Sequence, residues 1–178
     1  MNTREGLKKS HRQRDDLTGE YRWGDAGQGV LLALFLVVWI ADSVIFHWAT
    51  FPAVWIPPVF RIVLALCIYI FAGYFAIQAH NIVFKTERAE PRVIREGIFR
   101  VVRHPIYLGA ILFYLGAIVL TASVASFVLW IGIVLFYHMI ARYEEGLLRD
   151  RFGSDYAAYQ SDVPMWIPRI GSAKNIVG

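Results

Sequence analysis

A short polar stretch, Arg103-His104-Pro105, stands where charged sequence changes to apolar sequence. Pro105 suits the first turn of a helix, because proline lacks the N–H that would be unpaired there and its φ is already helical. Arg103 and His104 would then lie at a helix N-terminus, where free amides and the helix dipole favour an anion. The stretch therefore predicts a site for a carboxylate. The alternative is a simple anchor of basic side chains at a membrane boundary.

An acidic pair, Glu144-Glu145, follows the last apolar run of the chain. Two carboxylates facing the basic stretch would suit a zwitterionic ligand that carries a positive centre. Glu145 and Arg149 are also spaced as an ordinary i,i+4 pair on a helix surface, which is the structural alternative.

The elements that must position these groups are apolar helices. Of 178 residues, 57% are hydrophobic and 18% are charged, a composition typical of a membrane protein. Apolar runs cover residues 30–46, 59–77, 106–121 and 124–140, each near the shorter end of the length that spans a bilayer. The sequence predicts an all-α, polytopic membrane protein with about four transmembrane helices.

The basic residues predict the orientation of these helices. Of the 18 lysines and arginines, only Arg61 falls on the outer side if both termini are cytoplasmic, as the enrichment of such residues in cytoplasmic loops requires. Residues 1–29 form a predicted cytoplasmic arm without a signal peptide, and residues 30–178 form the predicted membrane domain. The net charge of +4 then reflects membrane orientation, and we expect no nucleic-acid partner and no metal.

The third and fourth runs are separated only by Ala122-Ser123. A tight helical hairpin would bring the start of the third helix and the end of the fourth together, so the basic stretch and the acidic pair should face each other. Gly109, Gly116 and Gly132 are predicted to allow close helix packing.

The stretch GIFRVVRHPIYLG, followed across the hairpin by EEGLLRDRFGSDYAAYQSDVPMWIP, closely resembles integral membrane methyltransferases of the isoprenylcysteine carboxyl methyltransferase type. Phospholipid N-methyltransferases share the pattern more loosely. The resemblance covers about the C-terminal half of the chain. It implies the use of S-adenosylmethionine, bound at the cytoplasmic mouth of the last two helices by segments 91–109 and 141–168.

The resemblance also implies roles for individual residues. The implied cofactor-binding residues are Val93, Ile94, Gly97, His104, Pro105, Tyr107 and Glu145. Arg103, which leads the motif, and Glu144, a candidate base, are predicted to act in catalysis; Arg142 is predicted to bind substrate, and so is His138, which lies about two helical turns before Glu145. Arg142 lies two residues beyond the position of the family's substrate-contacting arginine, which is Ile140 here.

The acceptor is expected to be a lipid-like or prenylated molecule from the bilayer, with a carboxylate favoured. An amine acceptor would need a base, for which Glu144 or His80 is available. A non-catalytic protein that binds a lipid or partner is the third hypothesis. The expected location is a bacterial inner membrane.

Two polar residues inside the apolar runs have open roles. We expect Asp42 to make a structural hydrogen bond with Ser43 or His47. His138 either lines a substrate channel or is a buried histidine with a satisfied side chain.

Overall fold

The computed structural model describes residues 24–84 and 91–168, and every regular element within these ranges is a helix. Residues 1–23 of the predicted arm and the tail beyond residue 168 lie outside them. The long helices are α1 (Gly24–Ile40), α2 (Pro58–Phe84), α3 (Pro105–Thr121) and α4 (Val124–Phe152), and a short α5 (Ser154–Asp162) follows. The π-helical segment Ala41–Phe46 extends α1, and 3-10 turns cover Phe51–Val54 and Gly97–Arg100.

Three of these helices are long and apolar enough to cross a membrane: Ala26–Phe46, Pro58–Val83 and Val124–Phe152. The apolar α3 has 17 residues, which at about 1.5 Å per residue falls short of the roughly 30 Å hydrocarbon thickness. Many of their apolar side chains are exposed, among them Val37, Val63 and Leu135, and these suit a lipid-facing surface. The predicted all-α membrane architecture is confirmed, and all four predicted runs lie within helical segments.

The turn between α3 and α4 is as short as predicted. Ala122 adopts a left-handed conformation with φ of 55°, which ends α3. Ser123 then caps α4, because its side chain accepts a hydrogen bond from the backbone N–H of Ser126 at 3.1 Å. The two helices are therefore antiparallel neighbours, and the start of α3 lies near the latter part of α4.

The closest helix packing involves α2 and α3 rather than the hairpin pair. A methyl group added at Gly116 would lie 2.8 Å from the ring of Tyr69, and one at Gly109 would lie 3.0 Å from the carbonyl oxygen of Ala72. The prediction for Gly132 is wrong, because open space surrounds that residue. Gly132 on α4 therefore does not mark a helix contact. The close approach is made by α3, the other helix of the hairpin, which packs on α2.

Asp42 has a structural environment, and the backbone N–H of His47 donates to its backbone carbonyl at 2.8 Å, but neither Ser43 nor His47 is the partner of its carboxylate. Its carboxylate accepts hydrogen bonds from the hydroxyl of Ser123 and, at 2.7 Å, from the backbone N–H of Ala49. The hydroxyl of Ser43 instead donates to Thr121 at 3.0 Å. Because the π-helical segment turns Asp42 towards the α3–α4 turn, the buried carboxylate links the end of α1 to the hairpin.

Candidate functional site

The start of α3 presents two predicted site residues to the protein interior. Pro105 is the first residue of α3 and His104 is its N-cap, as the sequence predicts. Val102 is fully buried just before them and anchors the approach of the chain. The side chains of Arg103 and His104 are only 12% and 7% exposed, so neither residue is a solvent-facing anchor.

Glu145, on α4, is the centre of the site. One carboxylate oxygen, Oε1, accepts hydrogen bonds from Nε of Arg103 at 2.6 Å and from Nε2 of His104 at 3.2 Å. The other oxygen, Oε2, accepts from the side-chain amide of Gln160 at 2.9 Å. The residue is 5% exposed. Such burial is tolerated because the charge is both paired and hydrogen-bonded.

Glu144 forms a second, less buried part of the site. Its Oε1 accepts a hydrogen bond from the hydroxyl of Tyr107, and its Oε2 lies 3.8 Å from Nδ1 of His104. The rings of Tyr107 and His104 are stacked with centroids 5.7 Å apart. The imidazole of His104 therefore lies between two carboxylates, with Nε2 as the donor to Glu145. We refer to Arg103, His104, Tyr107, Glu144 and Glu145 as the polar cluster.

Residues 153–168, called here the C-terminal strap, pass across the polar cluster. The backbone N–H of Arg103 donates to the carbonyl of Pro164 at 3.0 Å. The guanidinium Nη1 donates to the carbonyls of Gln160, at 2.9 Å, and Val163. Within the described part of the chain, Nη2 of Arg103 makes no hydrogen bond. Arg103 thus connects the start of α3, α4 and the strap.

The strap is also fastened to the loop before α3. The hydroxyl of Tyr159 donates to the carbonyl of Phe99 at 2.7 Å, and Arg95 pairs with Asp155 at 2.6 Å. Tyr156 and Tyr159 are buried in an apolar cluster with Val163. Burial raises the pKa of both tyrosines, so their hydroxyls stay protonated near neutral pH and Tyr159 remains a donor.

Trp166, near the end of the strap, covers the polar cluster from one side. Its ring lies 5.8 Å from the ring of His104, and its indole N–H donates to Nδ1 of His138 at 3.2 Å. His138 therefore has a hydrogen-bond partner, but it is exposed, whereas one of the two expectations required a buried histidine. The role of His138 in substrate binding stays a prediction.

The remaining predicted residues lie on several elements. Val93 packs against the apolar cluster of the strap, and Ile94 is half-buried beside it in the chain. Gly97 has a φ of 54° at the start of the 3-10 turn, a conformation that favours glycine. Arg142 is exposed on α4, unlike buried Glu145.

The charges of the polar cluster differ from the arrangement that the sequence predicts, in which a free basic stretch faces an acidic pair. Arg103 is already paired with Glu145, and two carboxylates stand against one guanidinium. The carboxylates thus outnumber the guanidinium, and the aromatic rings of Tyr107 and Trp166 lie beside His104. Carboxylates and aromatic faces both attract a cation. The arrangement therefore favours a ligand with a positive centre.

Gln160 is a site residue that sequence reasoning missed. Besides its bond to Glu145, its side-chain oxygen accepts from Nη2 of Arg149 at 2.8 Å. Arg149 therefore contacts Gln160 and is not simply the i,i+4 partner of Glu145 on the helix surface. Tyr156 and Gln160 are four residues apart and so lie on one face of a short helix, and that spacing was the available signal.

Two further features concern metal binding and a cavity away from the polar cluster. Among residues 24–84 and 91–168, no group of three or more His, Cys, Asp or Glu side chains could hold a metal ion. A cavity of about 280 Å³ lies near the α3–α4 turn, at the opposite end of α3, with Arg61 in its lining.

Comparisons with known proteins identify a family and two relatives. The family model described as phospholipid methyltransferase matches residues 53–155. Methanethiol S-methyltransferase 1 of Bradyrhizobium diazoefficiens is 35% identical over 97 residues, covering 51% of this chain and 31% of that protein. Protein-S-isoprenylcysteine O-methyltransferase B of Arabidopsis thaliana is 30% identical over 78 residues, covering 43% of this chain and 40% of that protein. The matched segments span less than half of either relative.

Proposed function

This chain belongs to the phospholipid methyltransferase family, and from that premise we propose that it transfers a methyl group from S-adenosylmethionine to a lipid-like or prenylated acceptor. The observation that carries the proposal is the buried polar cluster, held by Arg103 and Glu145 at one end of apolar helices. A carboxylate is the favoured acceptor, because one relative is named as an isoprenylcysteine O-methyltransferase.

The residues present fit the cofactor. Its sulfonium and ammonium groups are cationic and suit the two carboxylates of the polar cluster, while Nη2 of Arg103 offers donors to its carboxylate. Arg103 would hold the carboxylate end, His104 would keep Glu145 in place through Nε2, and Glu145 would accept from the polar groups. Pro105 and Tyr107, with the preceding segment that contains Val93, Ile94 and Gly97, would line the site. When bound, S-adenosylmethionine supplies an activated methyl group.

The chain's own residues contribute mainly alignment and exclusion of water. The bound cofactor would supply its methyl group to the acceptor's nucleophilic atom and would depart as a neutral thioether, so the chain would need no acid for the leaving group, and Arg103 and Glu145 would serve to hold the donor in line. Positioning alone can lower such a barrier by up to about 7–11 kcal/mol. Trp166 and the C-terminal strap would shield the reacting groups, and His138 and Arg142 would contact the acceptor.

The acceptor's chemistry decides whether a base is required. A carboxylate is ionised near neutral pH and needs none. An amine must lose a proton first, and Glu144 would accept it, because this carboxylate is less buried than that of Glu145 and water can reach it. His80 on α2 is the alternative base.

The proposed location is a bacterial inner membrane, with both termini and the polar cluster on the cytoplasmic side. The support is the distribution of basic residues, which are concentrated before α1, between α2 and α3, and after the apolar part of α4. Lipid acceptors would then enter from the bilayer between the helices.

Calorimetric titration of the purified, detergent-solubilised protein with S-adenosylmethionine tests the proposal. We expect binding that Glu145→Gln weakens strongly, whereas Asp162→Asn, which removes an exposed carboxylate from α5, leaves it unchanged. His104→Ala should also weaken binding. An absence of binding to folded wild-type protein would contradict the proposal and favour a non-catalytic lipid-binding function.

Methyl-labelled cofactor identifies the acceptor. Membranes that contain the protein are incubated with it, and the lipid extract is resolved by mass. Label that mild base releases indicates a methyl ester, as expected for a carboxylate acceptor. Base-stable label on a lipid would instead identify an amine or a thiol.

A further inference from the structure

Gln160 closes a ring of hydrogen bonds in the polar cluster. Nε of Arg103 donates to Oε1 of Glu145 at 2.6 Å, and the side-chain amide of Gln160 donates to Oε2 of Glu145 at 2.9 Å. The ring is completed when the backbone carbonyl of Gln160 accepts from Nη1 of Arg103 at 2.9 Å. One residue of the C-terminal strap therefore contacts both members of the central ion pair.

Arg149 determines which way the amide of Gln160 points. Its Nη2 donates to the side-chain oxygen of Gln160 at 2.8 Å, and a guanidinium can only donate. The amide oxygen must therefore face Arg149, which leaves the NH2 group to face Glu145. The hydrogen-bond network thus assigns the orientation of this amide, which the shape of the group alone does not reveal.

The carboxylate of Glu145 has one acceptor position left. An ionised carboxylate has about four lone-pair sites, and Oε1 uses two of them for Arg103 and His104. Oε2 uses one for Gln160. The remaining position, on Oε2, is available to a donor group of a ligand, and its direction depends on the bond that Gln160 makes.

We propose that Gln160 is a positioning residue that sets the direction of the free acceptor on Glu145 and so controls the affinity for the cofactor. The inference rests on the proposed function, because it assumes that a donor of S-adenosylmethionine binds Glu145. It brings one residue of the C-terminal strap, Gln160, into the cofactor site through its bond to Glu145.

Other contacts hold the strap in place without the Gln160 side chain. Tyr159 donates to Phe99, Arg95 pairs with Asp155, and the backbone of Arg103 donates to Pro164. The buried apolar cluster of Tyr156, Tyr159 and Val163 adds to these. Removal of the Gln160 amide should therefore leave the fold intact while it releases Oε2 of Glu145.

The dissociation constant for S-adenosylmethionine, measured by calorimetry on full-length protein, tests the inference. Gln160→Ala should weaken binding about ten-fold, the usual effect of one lost hydrogen bond to a charged group. Ala158→Gln, an exposed change on the same helix, should have no effect. In turnover assays, Gln160→Ala should raise the KM for the cofactor and leave kcat nearly unchanged, because only binding is affected.

Two further variants separate positioning from support of the fold. In a Glu145→Ala background, Gln160→Ala should cause no additional loss of affinity, since it acts through Glu145. Arg149→Ala should weaken binding less than Gln160→Ala does, because Glu145 can still accept from the NH2 group of Gln160. Equal losses from Gln160→Ala with and without Glu145 would overturn the inference.

The outcomes also distinguish this inference from the proposed function. If folded wild-type protein does not bind S-adenosylmethionine, the proposed function fails. If wild type binds and Gln160→Ala binds equally well, the proposed function stands and only the role of Gln160 is rejected.

Discussion

At the scale of single residues, the site depends on a buried ion pair. The side chains of Arg103 and Glu145 are 12% and 6% exposed, and removing charges from water is costly unless hydrogen bonds replace the lost solvation. Here they do, because His104, Gln160 and two backbone carbonyls complete the coordination of the pair. The pair therefore serves specificity more than stability, and each member needs the other.

Glu145→Ala should destabilise the protein far more than Glu144→Ala. The first change leaves Arg103 as an uncompensated buried charge and should cost about 3–5 kcal/mol. The second removes an acceptor that is partly open to water and should cost about 1 kcal/mol. Denaturant unfolding in a fixed detergent measures both. Equal losses would show that burial of the ion pair has no special role.

At the scale of elements, small residues position α3. Gly109 and Gly116 let α3 approach α2, so the start of α3 and its polar residues have a defined place. Because lipid surrounds such helices, close van der Waals packing replaces the hydrophobic effect as the source of their association.

Gly116→Ala should be destabilising, and Gly132→Ala should not. A methyl group at Gly116 would lie 2.8 Å from the Tyr69 ring, and such overpacking costs about 1–3 kcal/mol. Open space surrounds Gly132, and alanine there should stabilise the helix by up to about 1 kcal/mol. The shift in thermal unfolding of each variant, in the same detergent, measures the contrast. The same sign for both would refute this assignment of the packing face.

Asp42 is expected to be structural, since it links the end of α1 to the α3–α4 turn. Asp42→Ala removes the acceptor for Ser123 and for the Ala49 N–H and should lower stability by about 1–3 kcal/mol. Ser43→Ala, which removes one neutral bond to Thr121, is a milder control. The affinity of folded Asp42→Ala for S-adenosylmethionine should match wild type. A selective loss of affinity would indicate a functional role instead.

At the scale of the whole molecule, the two ends of the helices differ. One end holds the polar cluster, the strap and most of the basic side chains of residues 24–84 and 91–168. The other has the aromatic segment around Trp48 and Trp55, both strongly exposed. Arg61, the one lysine or arginine at that end within the described ranges, donates to the carbonyl of Leu120 near the end of α3 at 2.9 Å.

A membrane-impermeant maleimide tests this orientation. In a Cys67→Ser background, Trp55→Cys should be labelled in intact cells, whereas Ala158→Cys should be labelled only after the membrane is permeabilised. Both positions are exposed in the fold, so accessibility depends on the side of the membrane. The reverse pattern would place the polar cluster outside the cell.

Local patterns in the sequence predict much of the fold and part of the site. Pro105 predicts the start of α3, and Ala122-Ser123 predicts the hairpin that brings Arg103 beside Glu145. Gly132 shows where such reasoning fails, because a glycine reveals small size but not which neighbour comes close. Asp42 fails similarly: its nearest residues in sequence suggested partners, yet Ser123 reaches it through the fold.

The sequence by itself determined that apolar helices carry a basic stretch and an acidic pair to one end of a membrane protein, since periodicity, length and charge distribution are local properties. Only the tertiary structure decided that Arg103 is already paired, that α3 packs mainly on α2, and that Gln160 joins the polar cluster. These depend on distances between side chains far apart in the chain, which packing and hydrogen bonding set together.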